Sequence, residues 1–286
     1  MQVSFRTRSK TYGTNPASRS IVANAESTLE YRERRRAGAF RLPLTILPQP
    51  DETTCGPTCL HAVFRYWGAE ESLDELVSRG HRFEHGGTLA VFLACDALRK
   101  GYRATIYTYN ITVFDPSWFR AEVDISERLE RQRRVKPDER LQIATAGYVE
   151  FLRLGGELCF AELTVALVQD ILLRRLPIIT GLSATYLYGS RRETDQGMAD
   201  DIAGTPAGHF VVLAGFNGER RTFLVADPYQ RTPYEPPHAY WIGVERVMGA
   251  ILLGIVTHDA NLLVVHPNRV DAPEANSRPV AHFEPL

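Results

Sequence analysis

The chain has 286 residues, of which 44% are hydrophobic and 23% are charged, and its formal net charge is −1. These values are ordinary for a globular protein and allow one large domain or two small ones. The balanced charge argues against a general attraction to nucleic acid or to an anionic membrane surface. The longest apolar run, 247–256, is too short to cross a bilayer, so we expect no membrane span.

Four cysteines are too few for a disulfide framework in a chain of this length. The N-terminal region also has no apolar stretch of the kind that directs secretion. We therefore expect reduced thiols and a cytoplasmic protein. Residues 1–40 are rich in Arg, Ser and Asn and are predicted to be a flexible segment. An arm that binds nucleic acid is the less favoured interpretation of the charge run at 31–36, because aromatic residues are not interleaved there.

The first structured region is predicted to be a strand at 42–47, followed by a loop that carries Gln49 and a helix that begins at Cys55. Apolar residues recur after Cys55 at the spacing of one helix face: Leu60, Val63, Phe64 and Trp67. Pro57 suits a first helical turn, and Gly68 suits a helix end. Cys55 is therefore placed at a helix N-terminus, where unpaired N–H groups favour the thiolate, the nucleophilic form of cysteine.

The next elements are mainly helical. Ser72 and Glu75 form a capping box that opens a short helix. A further helix is predicted at 88–100 and a strand at 103–110. Residues 115–175 are predicted to be helical, with one helix capped by Asp138 and another at 160–175. We interpret this block as a helical insertion or a flanking subdomain.

The C-terminal half contains the clearest strand pattern. A strand at 177–182 and a long polar loop at 185–205 precede two apolar runs, 208–216 and 221–227, which Asn-Gly separates in the manner of a hairpin. Further strand or short-helix segments are predicted at 240–247 and 261–266. Residues 267–286 are predicted to be a Pro-rich tail.

His209 and Asp227 lie near the open ends of the two hairpin strands. Residues that pair across a hairpin share a constant sum of residue numbers. If His209 pairs with Asp227, half of this sum places the centre of the turn at residue 218. With a loop of three or five residues, the two side chains lie opposite each other on one face, with Cβ atoms about 4.5–5.5 Å apart. A two-residue loop would place them on opposite faces. The expected contact therefore depends on an odd-length loop.

Cys55, His209 and Asp227 are the residue types that cysteine catalysis requires: a nucleophile, an adjacent base and a group that orients the base. An acyl-transfer site also needs hydrogen-bond donors where the oxyanion develops. Gln49, six residues before Cys55, and the backbone N–H of Cys55 could supply them. The candidate catalytic residues are therefore Cys55, His209, Asp227 and Gln49.

The remaining cysteine and histidine residues are assigned to structure. We expect Cys59, Cys95 and Cys159 in the core, the last two on apolar helix faces. A metal site is not predicted, because Cys59 and His61 lack a second ligand pair. His81 and His85 lack the neighbouring glutamate of a zinc-peptidase motif. No cofactor is predicted.

These motifs make the chain resemble the papain-like cysteine peptidases, and more specifically the bacteriocin-processing peptidases that cleave double-glycine leader peptides. The resemblance is carried by the following segments: Gln49-x5-Cys55-Gly-x-x-Cys59-Leu, Gly208-His209-Phe-Val-Val-Leu and Val225-Ala-Asp227-Pro228. It implies an α+β papain-like domain at 41–266, in which the helix that begins at Cys55 packs on an antiparallel sheet. It also implies that Gln49 is the oxyanion donor, Cys55 the nucleophile, His209 the base and Asp227 the orienting residue.

The chain departs from the family at several points. Many family members continue into a transporter, and this chain resembles free-standing relatives instead. The block at 115–205 has no place in the minimal family domain, and Thr54 replaces an acidic residue often seen before the nucleophile. These departures bear on the substrate more than on the chemistry.

The predicted function is hydrolysis of a peptide bond through a thioester, with leader-peptide or precursor processing as its specific form. An amide-forming acyltransferase or transpeptidase is an alternative, because an amine instead of water can attack the thioester. A non-catalytic peptide-binding module is a second alternative. The expected partner is a peptide or protein substrate and not a nucleic acid. A transporter or peptide-modifying enzyme as a further partner is left unidentified.

Overall fold

The computed structural model describes residues 38–79, 87–120, 123–194, 196–257 and 259–268. Within these residues, eight strands form one sheet. The strands are β1 (Ala39–Arg41), β2 (Arg103–Thr108), β3 (Glu157–Cys159), β4 (Ile178–Ser183), β5 (Gly208–Asn217), β6 (Thr222–Ala226), β7 (Ala239–Gly243) and β8 (Asn261–His266). The helices are α1 (Cys55–Tyr66), α2 (Leu73–Arg79), α3 (Ala90–Arg99), α4 (Ile125–Val135), α5 (Glu139–Arg153), α6 (Val165–Leu173), α7 (Ala184–Tyr188) and α8 (Val244–Leu253).

The strands follow the order β3-β2-β8-β4-β5-β6-β7 across the sheet. Strands β2 and β3 run parallel, and the other neighbouring strands described here run antiparallel. Strand β1 pairs with the second half of β5, and β4 pairs with the first half. All residues of β4 are buried, as expected for a strand that is covered on both faces.

Helix α1 packs directly on β5. The thiol of Cys59 donates a hydrogen bond to the carbonyl of Phe210 at 3.3 Å. Gly56 permits this approach, because a Cβ atom there would lie 2.6 Å from Thr88 Cγ2 and 3.3 Å from Phe210 Cδ2. The predicted α+β fold, with the helix of Cys55 packed on an antiparallel sheet, is confirmed.

The helix boundaries agree with the expected signals. Gly68 adopts a φ of 87° just after α1. The N–H of Ser72 donates to Glu75 Oε2 at 3.1 Å, and the N–H of Glu75 donates to Ser72 Oγ at 3.3 Å, which closes the predicted capping box. Asp138 Oδ1 accepts from the N–H of Leu141 at 2.7 Å and caps α5. Among the described residues, no helix is both long and apolar enough to span a bilayer.

The strand predicted at 42–47 is wrong, because the strand lies earlier, at Ala39–Arg41. The N–H of Leu42 still donates to the carbonyl of Ala214 at 2.7 Å. Beyond that point, β4 occupies the same edge of β5, so no partner is left for residues 42–47. Most of the segment predicted to be flexible, 1–37 with its charge run, lies outside the described residues, as do His81, His85 and 269–286.

The block at 115–175 contains α4, α5 and α6, as expected, but it also contains β3. Because β3 pairs with β2, the block supplies an edge strand of the central sheet. Cys159 therefore lies half-buried on a strand, so its predicted place on a buried helix face is wrong, whereas Cys95 is buried on α3 as predicted. The helix expected from residue 160 begins at Val165, since Thr164 Oγ1 caps it at Leu167. The status of the block as an insertion stays a prediction.

A buried carboxyl group, Asp259, joins β8 to the start of α3. Its Oδ2 accepts a hydrogen bond from the N–H of Ala90 at 2.7 Å, and the Nδ2 of Asn261 donates to Oδ1. Leu89, which precedes α3, has no polar side chain that could cap the helix. Asp259, from a distant segment of the chain, caps it instead. Burial raises the pKa of Asp259 to about 7, against the opposing effect of the two hydrogen bonds.

Candidate active site

Cys55 is the first residue of α1 and is 9% exposed. The turn before it is held by Thr54, whose hydroxyl donates to the carbonyl of Asp51 at 3.0 Å and accepts from the N–H of Asp51 at 3.1 Å. The first N–H groups of a helix have no carbonyl partner within the helix. The predicted position of Cys55, at a helix N-terminus that can stabilise negative charge, is confirmed.

The hairpin that carries His209 and Asp227 differs from the prediction in its loop. Asn217 pairs with Thr222, so the loop is 218–221, an even number of residues, and the odd-length loop on which the predicted contact depended is not formed. An even loop by itself would place His209 and Asp227 on opposite faces of the sheet. An irregularity in the strand pairing is therefore needed to bring the two side chains to one face.

That irregularity is a β-bulge between Leu213 and Gly215, which inserts one extra residue into β5. Beyond the bulge, Val212 pairs with Ala226. Extending this register by one residue places Asp227 opposite Val211, and Val211 shares a face with His209 because side chains alternate along a strand. The bulge thus restores the contact that the loop length would have prevented.

The His209 Nε2 atom lies 2.8 Å from Asp227 Oδ1. His209 is 8% exposed and Asp227 is fully buried. Since an ionised carboxylate only accepts hydrogen bonds, Nε2 carries a hydrogen, and Nδ1 is the ring nitrogen left for Cys55. Burial lowers the pKa of His209, but the charge of Asp227, the hydrogen bond to it and the nearby Cys55 outweigh burial and raise the pKa. The imidazolium form is therefore favoured.

Two tyrosines that the sequence analysis did not identify contact Asp227. Its Oδ2 accepts from the hydroxyl of Tyr188 at 2.7 Å and from the hydroxyl of Tyr240 at 2.6 Å. The N–H of Tyr229 donates to Oδ1 at 2.9 Å. Tyr240 on β7 pairs with Val225 on β6, and Val225 shares a face with Asp227, so the register of a third strand could have indicated Tyr240. Tyr188 lies on α7, which was predicted to be part of a loop.

Gln49 lies in the loop before Cys55, and two hydrogen bonds tie this loop to the segment after Asp227. The N–H of Gln49 donates to the carbonyl of Pro228 at 2.9 Å, and Gln230 Nε2 donates to the carbonyl of Gln49 at 3.4 Å. The Gln49 side chain is 6% exposed, and its Nε2 donates one hydrogen to the carbonyl of Asp51 at 2.9 Å. The second hydrogen of Nε2 is the one that an oxyanion could accept.

A small polar cleft opens beside Gln49, and its volume is about 220 Å³. The lining residues are Gln49, Pro50, Asp51, Glu52, Tyr229, Gln230 and Arg231. Tyr229 connects the cleft to the candidate catalytic residues, because its ring centroid lies 6.0 Å from that of His209. Across the described part of the chain, no three His, Cys, Asp or Glu side chains converge in a way that could hold a metal ion.

The other thiols differ from Cys55 in their surroundings. Burial raises the pKa of Cys59 well above the usual range, and the nearby Cys55 and Asp227 add to this effect. Burial also raises the pKa of Cys95 to about 12 and that of Cys159 to about 11. All four cysteines are free. Cys59, Cys95 and Cys159 are therefore expected to be chemically inert near neutral pH.

Part of the chain matches a known family model. Residues 155–243 match the Peptidase_C39 like family. This segment contains His209 and Asp227, whereas Gln49 and Cys55 lie before it. The match supports the resemblance seen in the sequence and the predicted enzyme class of papain-like cysteine peptidase. No curated protein matches the chain.

Several solved structures are similar to this chain. The peptidase domain of Streptococcus ComA, a bi-functional ABC transporter involved in a quorum sensing pathway, is 14% identical with a TM-score of 0.37, over 78% of this chain and 98% of that one. A double glycine motif protease from an AMS/PCAT transporter, in complex with the leader peptide, is 15% identical with a TM-score of 0.38, over 79% and 94%. Xylellain, a cysteine protease from Xylella fastidiosa, is 14% identical with a TM-score of 0.43, over 91% of both chains. At these identities the similarities are distant.

Proposed function

We propose that this C39-like cysteine peptidase cleaves a peptide bond in a peptide or protein precursor, with Cys55 as nucleophile, His209 as base and Asp227 as the residue that orients His209. One observation carries the proposal. Cys55 begins α1 and lies near a buried His209 whose Nε2 is 2.8 Å from Asp227 Oδ1. This is the arrangement that cysteine nucleophiles require.

The proposed reaction begins with a proton transfer from Cys55 to His209, which leaves a thiolate beside an imidazolium. The thiolate attacks the carbonyl carbon of the scissile bond, and the oxyanion accepts hydrogen bonds from Gln49 Nε2 and from the backbone N–H of Cys55. His209 then protonates the leaving amine, and water hydrolyses the thioester. Asp227 keeps its charge throughout and holds the imidazole in one orientation.

Removal of a leader peptide or another precursor segment is the proposed form of this activity. The support is the match of residues 155–243 to the Peptidase_C39 like family, together with the motif that links Gln49 to Cys55. A cytoplasmic location is proposed with it, since all four cysteines are free. The cleft beside Gln49 is a suitable entry for one side of an extended peptide.

Alkylation by iodoacetamide between pH 4 and pH 9, mapped by mass spectrometry, tests the nucleophile without a known substrate. We expect Cys55 to react rapidly at pH 6 and to lose this reactivity in His209→Ala, because an ordinary thiol reacts mainly near its pKa of about 8.5. Cys95 and Cys159 serve as internal references, because the pKa of each thiol is raised. Slow reaction of Cys55 at pH 6, or equal reactivity in His209→Ala, would contradict the proposal.

Peptide cleavage tests the reaction itself. The full chain and Cys55→Ala are incubated with a synthetic peptide library that includes Gly-Gly segments, with and without an added small amine. We expect products with the mass of water added, and none with Cys55→Ala. Products that contain the amine would assign the site to acyl transfer instead. Binding of a peptide that is unchanged in Cys55→Ala, with no product from either protein, would assign a binding module.

A further inference from the structure

The buried carboxylate of Asp227 accepts hydrogen bonds on both oxygens. Oδ1 faces His209 and the N–H of Tyr229, while Oδ2 faces the hydroxyls of Tyr188 and Tyr240. These donors come from four separate parts of the fold: β5, α7, β7 and the segment after β6. The mechanism described above needs the first contact and makes no use of the two hydroxyls.

We propose that Tyr188 and Tyr240 are positioning residues of this active site, which keep the buried carboxylate of Asp227 ionised and turned toward His209. This inference rests on the proposed function, because it assigns a role to Asp227 within that mechanism. Neither tyrosine is proposed to touch the substrate.

The physical need for such donors follows from burial. A carboxylate with no exposed surface loses its hydration, which favours the neutral acid unless charge-assisted hydrogen bonds replace the lost water. Two hydroxyl donors at 2.7 Å and 2.6 Å replace the water on Oδ2. With Oδ2 fixed between them, the carboxylate cannot rotate, so Oδ1 stays aligned with His209 Nε2.

The charges around Asp227 agree with this role. Burial raises the pKa of Asp227, but His209 and the hydrogen bonds, including the one from Tyr240, outweigh burial and lower it. Burial and the charge of Asp227 both raise the pKa of Tyr188 and that of Tyr240, so both phenols remain protonated donors. Other titratable groups near this carboxylate are Cys59 and Tyr229, while His238 contacts its backbone carbonyl and Cys55 lies near His209.

The test is the pH profile of Cys55 alkylation by iodoacetamide in the double variant Tyr188→Phe/Tyr240→Phe. Without the two hydroxyls the pKa of Asp227 rises, and a neutral Asp227 no longer stabilises the imidazolium of His209. The thiolate–imidazolium pair then forms only at higher pH. We expect the rate at pH 6 to fall at least about tenfold, with recovery toward the wild-type rate near pH 8.5. The single variants are expected to show smaller shifts in the same direction.

Tyr234→Phe is the matched control. Tyr234 belongs to the same aromatic cluster, with its ring centroid 4.6 Å from that of Tyr240, but its hydroxyl donates to the carbonyl of Leu187 at 2.6 Å and not to Asp227. It loses an equally short hydrogen bond without changing the carboxylate. We expect its pH profile to match that of the wild type. Near-ultraviolet circular dichroism checks that each variant keeps its fold, and the single variants replace the double variant if that one unfolds.

Three results would overturn the inference: an unchanged profile in the folded tyrosine variants, a shift to lower pH, or an equal shift in Tyr234→Phe. These results differ from failure of the proposed function. That failure is seen in the wild type, if Cys55 reacts slowly at pH 6 or keeps its reactivity in His209→Ala, and the inference then falls with it. A wild type that behaves as proposed, with tyrosine variants that do not shift, overturns the inference alone.

Discussion

Replacing Asp259 with asparagine isolates the effect of one buried carboxyl group on the pH dependence of stability. Asp259 is 4% exposed and accepts a hydrogen bond from the first helical N–H of α3, at Ala90. Asparagine keeps an oxygen that can accept this bond but cannot titrate. The difference in the free energy of unfolding between the wild type and Asp259→Asn therefore reports the protonation of Asp259.

The magnitude follows from the two pKa values of Asp259. The value of about 7 in the folded chain compares with about 3.9 for an ordinary aspartate, and this difference corresponds to about 4 kcal/mol. Because the folded state binds the proton more tightly, the contribution is complete below about pH 4 and is lost as the pH rises through about 7. The wild type should therefore lose stability relative to Asp259→Asn between these values.

Urea unfolding of both proteins from pH 4 to pH 8 measures this difference. Asp259→Ala is the companion variant, because it loses both hydrogen bonds and is expected to be about 1–3 kcal/mol less stable than Asp259→Asn. A difference between the wild type and Asp259→Asn that stays constant across the range would refute the reasoning. It would mean that Asp259 is ionised in the folded chain over the whole range.

Three further changes test a close packing contact, a helix cap and an exposed ion pair. Gly56→Ala is expected to lower the free energy of unfolding by about 1–3 kcal/mol in urea unfolding, because the new Cβ would lie 2.6 Å from Thr88 Cγ2. Thr88→Ser removes that methyl group, so the double variant should recover part of the loss. Ser72→Ala should cost about 1 kcal/mol in thermal unfolding through loss of the capping box, and no change would contradict that role. Arg231→Ala breaks an exposed ion pair with Glu52 and should change stability by less than about 1 kcal/mol, so a larger loss at any salt concentration would show that the pair is more than a surface contact.

Local patterns were sufficient to predict the elements that carry the candidate site. The apolar repeat after Cys55 predicted α1, and the capping box predicted α2, since both depend on residues three or four apart in one helix. The Asn-Gly turn signal between two apolar runs predicted the β5–β6 hairpin, because that signal is also local in the sequence. The residue types at Cys55, His209 and Asp227 were enough to suggest cysteine chemistry, and the family match supports it.

Tertiary structure decided how those residues meet. The loop of the hairpin is even, and only the bulge between Leu213 and Gly215 brings His209 and Asp227 to one face. Glycine is required at position 215, at the end of the bulge, because a Cβ atom there would lie 2.4 Å from the carbonyl oxygen of Phe40 on β1. No pattern within β5 reveals that neighbour, because the pairing joins segments far apart in the chain.

The same reason explains the partners of Asp227 and the place of β3. Tyr188 and Tyr240 reach the carboxylate from α7 and β7, and their sequence neighbourhoods give no sign of a shared acceptor. The three-residue strand β3 is too short for an alternating pattern and exists through its pairing with β2. The sequence by itself predicted α1, α2, the β5–β6 hairpin and the residue types of the candidate site, because these depend on local spacing and residue type. Register, burial and the contacts around Asp227 depended on which distant segments pack together, and only the tertiary structure decided them.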